Sequence, residues 1–410
     1  AQNVVNFSLL VLAQRLTNSS ASVGLIILSF SLPAVLFSAL AGVLVDRWDK
    51  RLVMVVSNVL RGAAVFSYIF VNSPNDMPYV YVASFMFASS AQFFAPAEGA
   101  VIPKLVGRDH LIAANSLYNL TFMASQFLGF TLIGWLLIRT LGLRNVFVVV
   151  FIVYLIGATV IGSIRLPTLR LQSRSQNFMR EYWTELLEGW RFIVHRRVLL
   201  VTILHLSIAN SIYLMLGTLG PAYVSAVLKI RAEDLGVLLA PAGVFTLLGV
   251  LTVGSRARPT NRQTMIHGGL AGVGISILGL AGIEPVSRGV SYVTGLSVPL
   301  SAVTLLAVLI SMNFGFWAAF VTIPAQTVLQ ENSPDEIRGR VLSTFFTVSN
   351  AAAFFPILLA GAIADWIGIL ETMALVGGFI LSVSVVSQYV YARAGHTWDR
   401  DRDPSVMVDA

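Results

Sequence analysis

Gly42-Val43-Leu44-Val45-Asp46-Arg47-Trp48-Asp49-Lys50-Arg51 is a short, highly charged turn between two apolar runs, one over residues 23–45 and one beginning at Leu52. A helix needs ~20 apolar residues to cross a bilayer, and the run before the turn supplies them. Gly42 falls one turn before Asp46 on the same helix face, and its missing side chain allows a neighbouring helix close approach. Asp46 closes its helix at the C-terminal pole, where the dipole disfavours a carboxylate. It therefore needs an outside partner, either a cation or the N-terminus of another helix. Arg47, Lys50 and Arg51 are the kind of residues that hold a loop in the cytoplasm. An ordinary positive loop with no special pairing carries the same charges, so both readings stand at this point.

Composition places the turn in a membrane. The 410 residues are 56% hydrophobic and 11% charged, with a mean hydropathy of +0.79, which excludes a soluble globular chain. The apolar runs are too long for the strands of an outer-membrane barrel, so the reading is an all-α, polytopic membrane protein. A net charge of +7 could suggest nucleic acid, but its placement argues otherwise. On the topology below, 20 of the 27 Lys and Arg fall on one side, 6 on the other, and Arg61 inside a helix. That asymmetry is the positive-inside rule, and no nucleic-acid partner is implied. Zero cysteines exclude disulfides, thiolate metal sites and cysteine nucleophiles. No nucleophile–base pair or metal-ligand cluster stands out in the sequence, so neither an enzyme nor a cofactor is expected. The chain opens on Ala1 without a polar flank, and the natural N-terminus, with the first turns of helix 1, is expected upstream of it.

Twelve helices are expected, in two sets of six. The first set lies near residues 1–17, 22–45, 52–71, 78–102, 111–138 and up to 165. The second lies near 198–227, 235–254, 264–283, 298–327, 339–364 and 369–392. This divides the chain into an N-terminal half (1–165), a basic linker (166–197), a C-terminal half (198–392) and a charged tail (393–410). Arg165, Arg170, Arg174, Arg180, Arg191, Arg196 and Arg197 mark the linker, while Phe178, Tyr182 and Leu186 recur at helical spacing. An amphipathic helix on the cytoplasmic membrane surface, near 177–195, and a plain linker both fit. Gly42-Val43-Leu44 recurs as Gly249-Val250-Leu251, Ala95-Pro96-Ala97-Glu98 as Ile323-Pro324-Ala325-Gln326, and Asp109-His110-Leu111 as Asp335-Glu336-Ile337. Matches in the same order in both halves point to internal duplication.

With these features in view, Gly-x-x-x-Asp-Arg-x-x-Lys-Arg after a second helix resembles the loop signature of the major facilitator superfamily, with Asp49 where Gly is commoner. More narrowly, Phe94-Ala95-Pro96-Ala97, Ile102-Pro103, Leu111-Ile112-Ala113-Ala114-Asn115-Ser116-Leu117 and Pro334-Asp335-Glu336-Ile337-Arg338-Gly339-Arg340-Val341 look like the branch holding bacterial macrolide-efflux and enterobactin-exporter proteins. Three features depart from the superfamily pattern. The fourth helix has no Arg in its core, the fifth reads Gln126-Phe127-Leu128-Gly129-Phe130 without the antiporter Gly-Pro pair, and Val253 stands where the second copy would place Asp46.

The resemblance implies a twelve-helix fold of two six-helix pseudo-repeats, monomeric, in a bacterial cytoplasmic membrane with the linker and C-terminus inside. It implies a cavity lined by helices 1, 4, 7 and 10. Their polar residues then become candidates for the substrate: Asn6, Gln92, His205, Asn210, Tyr213, Asn313 and Trp317, with Gln326 beside them. Neutral hydrogen-bonding groups among aromatics suit a bulky amphipathic small molecule, while interhelical hydrogen bonds would use the same residue types. Few ionisable groups lie inside the membrane, and each is costly. His205, with an ordinary pKa near ~6.5, and Glu98 are the proton-coupling candidates; Arg61 is expected to anchor a structural pair and His267 to snorkel at the interface. The expected function is export of a drug- or siderophore-like molecule by alternating access, driven by proton antiport. A metabolite or lysophospholipid facilitator or flippase is the alternative within transporters, and a non-transporting membrane sensor or binding protein the alternative outside them.

Overall fold

A computed structural model describes residues 1–106, 111–164, 187–258, 261–295, 297–334 and 338–394. Among these residues the chain is helical throughout its regular structure, with no strand. The first six helices are α1 (Gln2–Thr17), α2 (Ser20–Arg47), α3 (Lys50–Ser67), α4 (Met77–Leu105), α5 and α6 (Leu143–Ser163). Helix α5 begins as Leu111–Leu128 and passes through a π turn at Gly129–Ile133 into Gly134–Leu141. The second six are α7 (Arg197–Ala226), α8 (Gly236–Arg256), α9 (Arg262–Thr294), α10 (Leu300–Glu331), α11 (Arg338–Ile367) and α12 (Ile369–Ala394). Among the described residues, ten of these helices are long and apolar enough to cross a membrane; the others are α1, 16 residues long, and the interrupted α5.

The quoted charged turn is as short as the sequence implies. Helix α2 stops at Arg47 and α3 starts at Lys50, with Asp49 as N-cap accepting the backbone N–H groups of Arg51 and Leu52 at 2.8 and 3.2 Å. Asp49 thus satisfies two of the four donors that a helix start leaves open. The other expected boundaries hold within a few residues except at α9, which runs on through Pro285 to Thr294 rather than ending near 283. A proline removes one backbone donor, and here an ion pair between Glu284 and Arg288 spans the same turn. Of the expected surface helix in the linker, residues 187–194 are helical, with Ile193 buried and the Arg196 guanidinium 4.2 Å above the Phe192 ring. The remainder (165–186), the Asp109-His110 and 335–337 matches and the tail beyond 394 lie outside the described residues.

Each half repeats the same packing. Helix α4 packs on α2 and α3, and α3 on α6; correspondingly α10 packs on α8 and α9, and α9 on α12. Helix α1 is apolar on nearly every side and is enclosed, with Val5, Phe7, Leu9, Val11 and Ala13 fully buried. Its Phe7 and Asn3 lie against the π turn of α5.

The two halves meet through α2 with α11, the π turn of α5 with α8, and α1 and α2 with α7. Their contacts concentrate at the end opposite the Asp46–Arg51 turn, called here the far end. There a Cβ at Gly361 would lie 2.8 Å from Ala21 Cα and Ser20 O, so only glycine lets α11 come this close to α2. At Gly42 no described residue lies within 4 Å of a Cβ placed there. Asp46 is the penultimate residue of α2; its side chain, and those at 338–340, fall outside the described set.

Candidate substrate cavity

The far end is sealed by ionic contacts between the halves. A 3₁₀ turn, Ala232–Leu235, carries Glu233 and Asp234 between α7 and α8. Glu233 is 1% exposed and accepts the Arg15 Nε–H of α1 at 3.1 Å. Asp234 accepts the indole N–H of Trp135 on α5 at 3.3 Å and lies 3.7 Å from the Arg139 guanidinium. Asp365, at the last turn of α11, accepts Ser19 Oγ–H at 2.6 Å and the N–H groups of Ser20 and Ala21 at 2.7 and 3.1 Å. A carboxylate at an N-terminal turn is where the helix dipole favours it.

Inside this seal, in the C-terminal half, is a cavity of about 260 Å³. Its polar wall is Asn210 and Tyr213 of α7, Thr322 and Gln326 of α10, and Ser349 and Asn350 of α11. Phe314, Phe345 and Phe346 give it aromatic surface, and Leu270 and Val273 of α9 contribute its back. Among the described residues lining it, none is charged. Tyr213 is 58% exposed although it sits mid-helix, and the Asn210 amide donates to the Ser349 carbonyl at 3.4 Å.

The candidates divide accordingly. Asn210, Tyr213 and Gln326 are on the wall. His205 is not: it is 1% exposed, behind the wall, with Nε2 2.8 Å from Ser387 Oγ of α12. Asn313 and Trp317 are also off the wall. The Trp317 indole lies against Gly272 and donates to Asn313 Oδ1 at 3.1 Å, and the Asn313 amide donates to Ser276 Oγ at 2.9 Å. They fasten α10 to α9. On α10 the observed face is one residue from the expected one, a rotation of ~100°, whereas on α7 the wall keeps Asn210 and Tyr213 and leaves out only His205. Asn6 and Gln92 belong to the other half and do not line this cavity; Asn6 Oδ1 is buried without a hydrogen-bond partner among the described residues, and Gln92 is half-buried on α4. The α11 contribution was missed, although Ser349-Asn350 in an otherwise apolar helix is a legible signal.

Glu98 is half-buried on α4 and accepts the Tyr118 Oη–H of α5 at 3.2 Å. Arg61 is partnered by Asn58, and among the described residues it forms no salt bridge with a carboxylate. It is 5% exposed, donates to Asn58 Oδ1 at 2.6 Å, and its guanidinium carbon sits 4.5 Å over Phe94 and 5.0 Å over Tyr154. His267 does not snorkel; it is 4% exposed and hydrogen-bonded to Ser387 at 3.0 Å. Arg47 is exposed and Lys50 and Arg51 half-buried at the charged turn, where Lys50 Nζ reaches the Trp48 carbonyl at 3.4 Å.

Two six-helix bundles that seal together at one end, with a neutral amphipathic cavity inside, define a polytopic membrane transporter rather than an enzyme. The sequence matches the Major Facilitator Superfamily over residues 1–356, and the chain belongs to that superfamily. It is 24% identical over 398 residues to the multidrug efflux pump Tap of Mycolicibacterium fortuitum, covering 94% of this chain and 91% of that one. It is 23% identical over 364 residues to macrolide efflux protein A of Streptococcus pyogenes, covering 87% and 84%. The solved nucleoside transporter NupG superposes with a TM-score of 0.71 at 13% identity, covering 95% of this chain and 97% of that one. A bacterial homologue of the human lysosomal transporter Spinster, in an inward-facing and unoccupied conformation, gives 0.65 at 12%, covering 97% and 94%. At these identities the solved structures speak to the fold alone.

Proposed function

We propose that the chain exports a small amphipathic molecule across a bacterial cytoplasmic membrane by alternating access, as a monomer. The observation that carries this is the cavity wall itself. Neutral donors and acceptors are spaced among phenylalanines, and no charge would have to be desolvated to admit an uncharged or weakly basic ligand. Two relatives named as efflux pumps favour drug-like over nutrient substrates. At about 260 Å³ the enclosed volume suits a ligand of modest size, or one lobe of a macrolide whose remainder lies outside it.

Sidedness follows from the basic residues. With Arg47, Lys50, Arg51 and the linker arginines in the cytoplasm, the sealed far end faces outward, and the state described here is inward-facing. Export then requires the far-end ion pairs to break and the charged-turn end to close, with Gly42 and Asp46 meeting the start of α11.

Proton antiport is the driving mechanism in this reading, carried by Glu98 or His205. The cavity wall favours one rival specifically. Offering neither carboxylate nor histidine among its described residues, it also suits a facilitator that needs no proton. Counterflow in proteoliposomes loaded with erythromycin or ethidium, with and without a pH gradient, tests both. Saturable counterflow enhanced by an inward-directed proton gradient supports antiport, and flux indifferent to the gradient supports the facilitator. Saturable binding with no flux contradicts transport of these ligands.

A further inference from the structure

We propose that His205, Ser387 and His267 form a proton site in the C-terminal half, holding one proton shared along a His–Ser–His hydrogen-bond chain and acting on the cavity through α7. It rests on the reading that the transporter is proton-coupled, and it replaces a single cavity-facing histidine with a relay behind the wall.

The geometry fixes how the chain is wired. Ser387 Oγ lies 2.8 Å from His205 Nε2 and 3.0 Å from His267 Nε2, and the two ring centroids are 5.6 Å apart. A hydroxyl has one proton, so it donates to one imidazole and accepts from the other. His205 Nδ1 is buried with no hydrogen-bond partner among the described residues. If His205 accepted at Nε2, its proton would sit on Nδ1 as a buried, unpaired N–H. If His205 donates from Nε2, the orphan is only a lone pair, the less costly of the two arrangements. The resting chain is therefore His205 Nε2–H to Ser387 Oγ–H to His267 Nε2.

That wiring leaves one open acceptor, His205 Nδ1. A proton added there releases the Nε2 proton to Ser387, whose own proton passes to His267 Nε2. His205 ends neutral in its other tautomer and His267 ends as imidazolium; no other bond changes. Two charged rings 5.6 Å apart repel, so the pair takes one proton rather than two. His205 is eight residues into α7 and His267 five into α9, roughly 12 and 8 Å from the charged-turn end, so the charge moves toward that end.

Among the described residues the surroundings give this charge no counter-ion. Helix α9 brings Arg262, which is paired with Glu331 of α10. Helix α12 brings Tyr391, 5.7 Å from the His267 ring, and Tyr389, which lies under the Arg393 guanidinium. Helix α7 brings Arg196 at its head, over Phe192, and the one carboxylate described on α11, Asp365, is at the far end. Among the described residues no carboxylate contacts either ring. An uncompensated cation between α7, α9 and α12 strains their packing. Helix α7 transmits it: Leu206, beside His205, lines the cavity, and Ser207 Oγ is 2.7 Å from Ser349 Oγ on the α11 wall.

The test needs no substrate. Because the chain has no cysteine, two spin-labelled cysteines report the distance between the halves at the charged-turn end without a background label. In the wild-type protein that distance should titrate as a single one-proton step between about pH 4 and pH 8. Ser387→Ala breaks the relay while keeping both rings, and should move the midpoint by at least one unit or abolish the step; Ser387→Thr should restore it. Should Ser387→Ala not fold, His267→Gln serves in its place and should remove the step. A merely structural fastener would lower the melting temperature of Ser387→Ala without moving the midpoint. That result, or a wild-type distance flat across the range, overturns the proposal. A clear titration in a protein that fails every export assay overturns only the export reading.

Discussion

Asp365 accepts the backbone N–H of Ser20 at 2.7 Å, so a carboxylate at the end of α11 caps the start of α2 across the boundary between the halves. The contact mirrors the one the sequence suggests for Asp46, which stands at the end of α2 as Asp365 stands at the end of α11. The end of α11 meets the start of α2, so the two helices run antiparallel, and the last turn of α2 lies toward the same end of the bundle as the start of α11.

The Arg15–Glu233 pair belongs to the same seal. Glu233 is nearly inaccessible while Arg15 is 41% exposed at its side chain, so the arginine alone retains substantial contact with solvent. A double-mutant cycle with Arg15→Met and Glu233→Gln should give a coupling on the order of 1 kcal/mol in favour of the sealed state. Accessibility of a cysteine at Thr218 to an impermeant maleimide reads it out. Glu233→Gln alone should raise labelling more than Arg15→Met, because Arg15→Met leaves Glu233 its second partner, Arg231 at 3.2 Å.

Tyr213 and Trp317 separate ligand contact from scaffold. Tyr213→Ala should weaken erythromycin or ethidium binding about tenfold, ~1.4 kcal/mol, with an unchanged melting temperature. Trp317→Ala should cost stability, ~3 kcal/mol at the low end for such truncations, because it empties the site against Gly272 and strips Asn313 of its donor. Binding titrations and thermal melting in detergent distinguish them. The reverse pattern would place the ligand against α9 instead.

Much of the fold was legible in the sequence, and the cavity face was not, for one physical reason. Runs of apolar residues, the two-residue charged turn and the repeated Gly-Val-Leu and Pro-Ala signals fix the helices and their pseudo-repeat. In a bilayer, however, the lipid-facing side of a helix is as apolar as its packed side, so periodicity does not say which way it turns. The choice of His205 and of Asn313 with Trp317 took the polar stripe for the cavity face. The wall runs through Leu206 beside the expected Asn210 and Tyr213, and through Phe314, while His205, Asn313 and Trp317 form the seam to α9 and α12.

Arg61 tests what a buried cation needs in this bundle. It is held by Asn58, Phe94 and Tyr154, where a flat, delocalised guanidinium stacks and an ammonium does not. Arg61→Lys keeps the charge and should still lower stability by about 2 kcal/mol, the scale of a desolvated cation–π contact. Melting of Arg61→Lys beside Arg61→Met checks this. If lysine is tolerated fully, the charge and not the cage is what the site requires.

The claim that one cavity is served by two alternating gates is tested most directly by spin-label distances between the halves at both ends, compared in Asp365→Asn and Asp46→Asn. Removing the carboxylate at Asp365 weakens a cap worth ~1 kcal/mol, so the sealed-far-end population should fall roughly fivefold relative to the other state. In those molecules the distance at the far end should lengthen while the distance at the charged-turn end shortens. Asp46→Asn should move the same equilibrium the opposite way, lengthening the charged-turn end. Two variants that shift both ends in the same direction, or an Asp46→Asn variant that behaves like Asp365→Asn, would contradict the account.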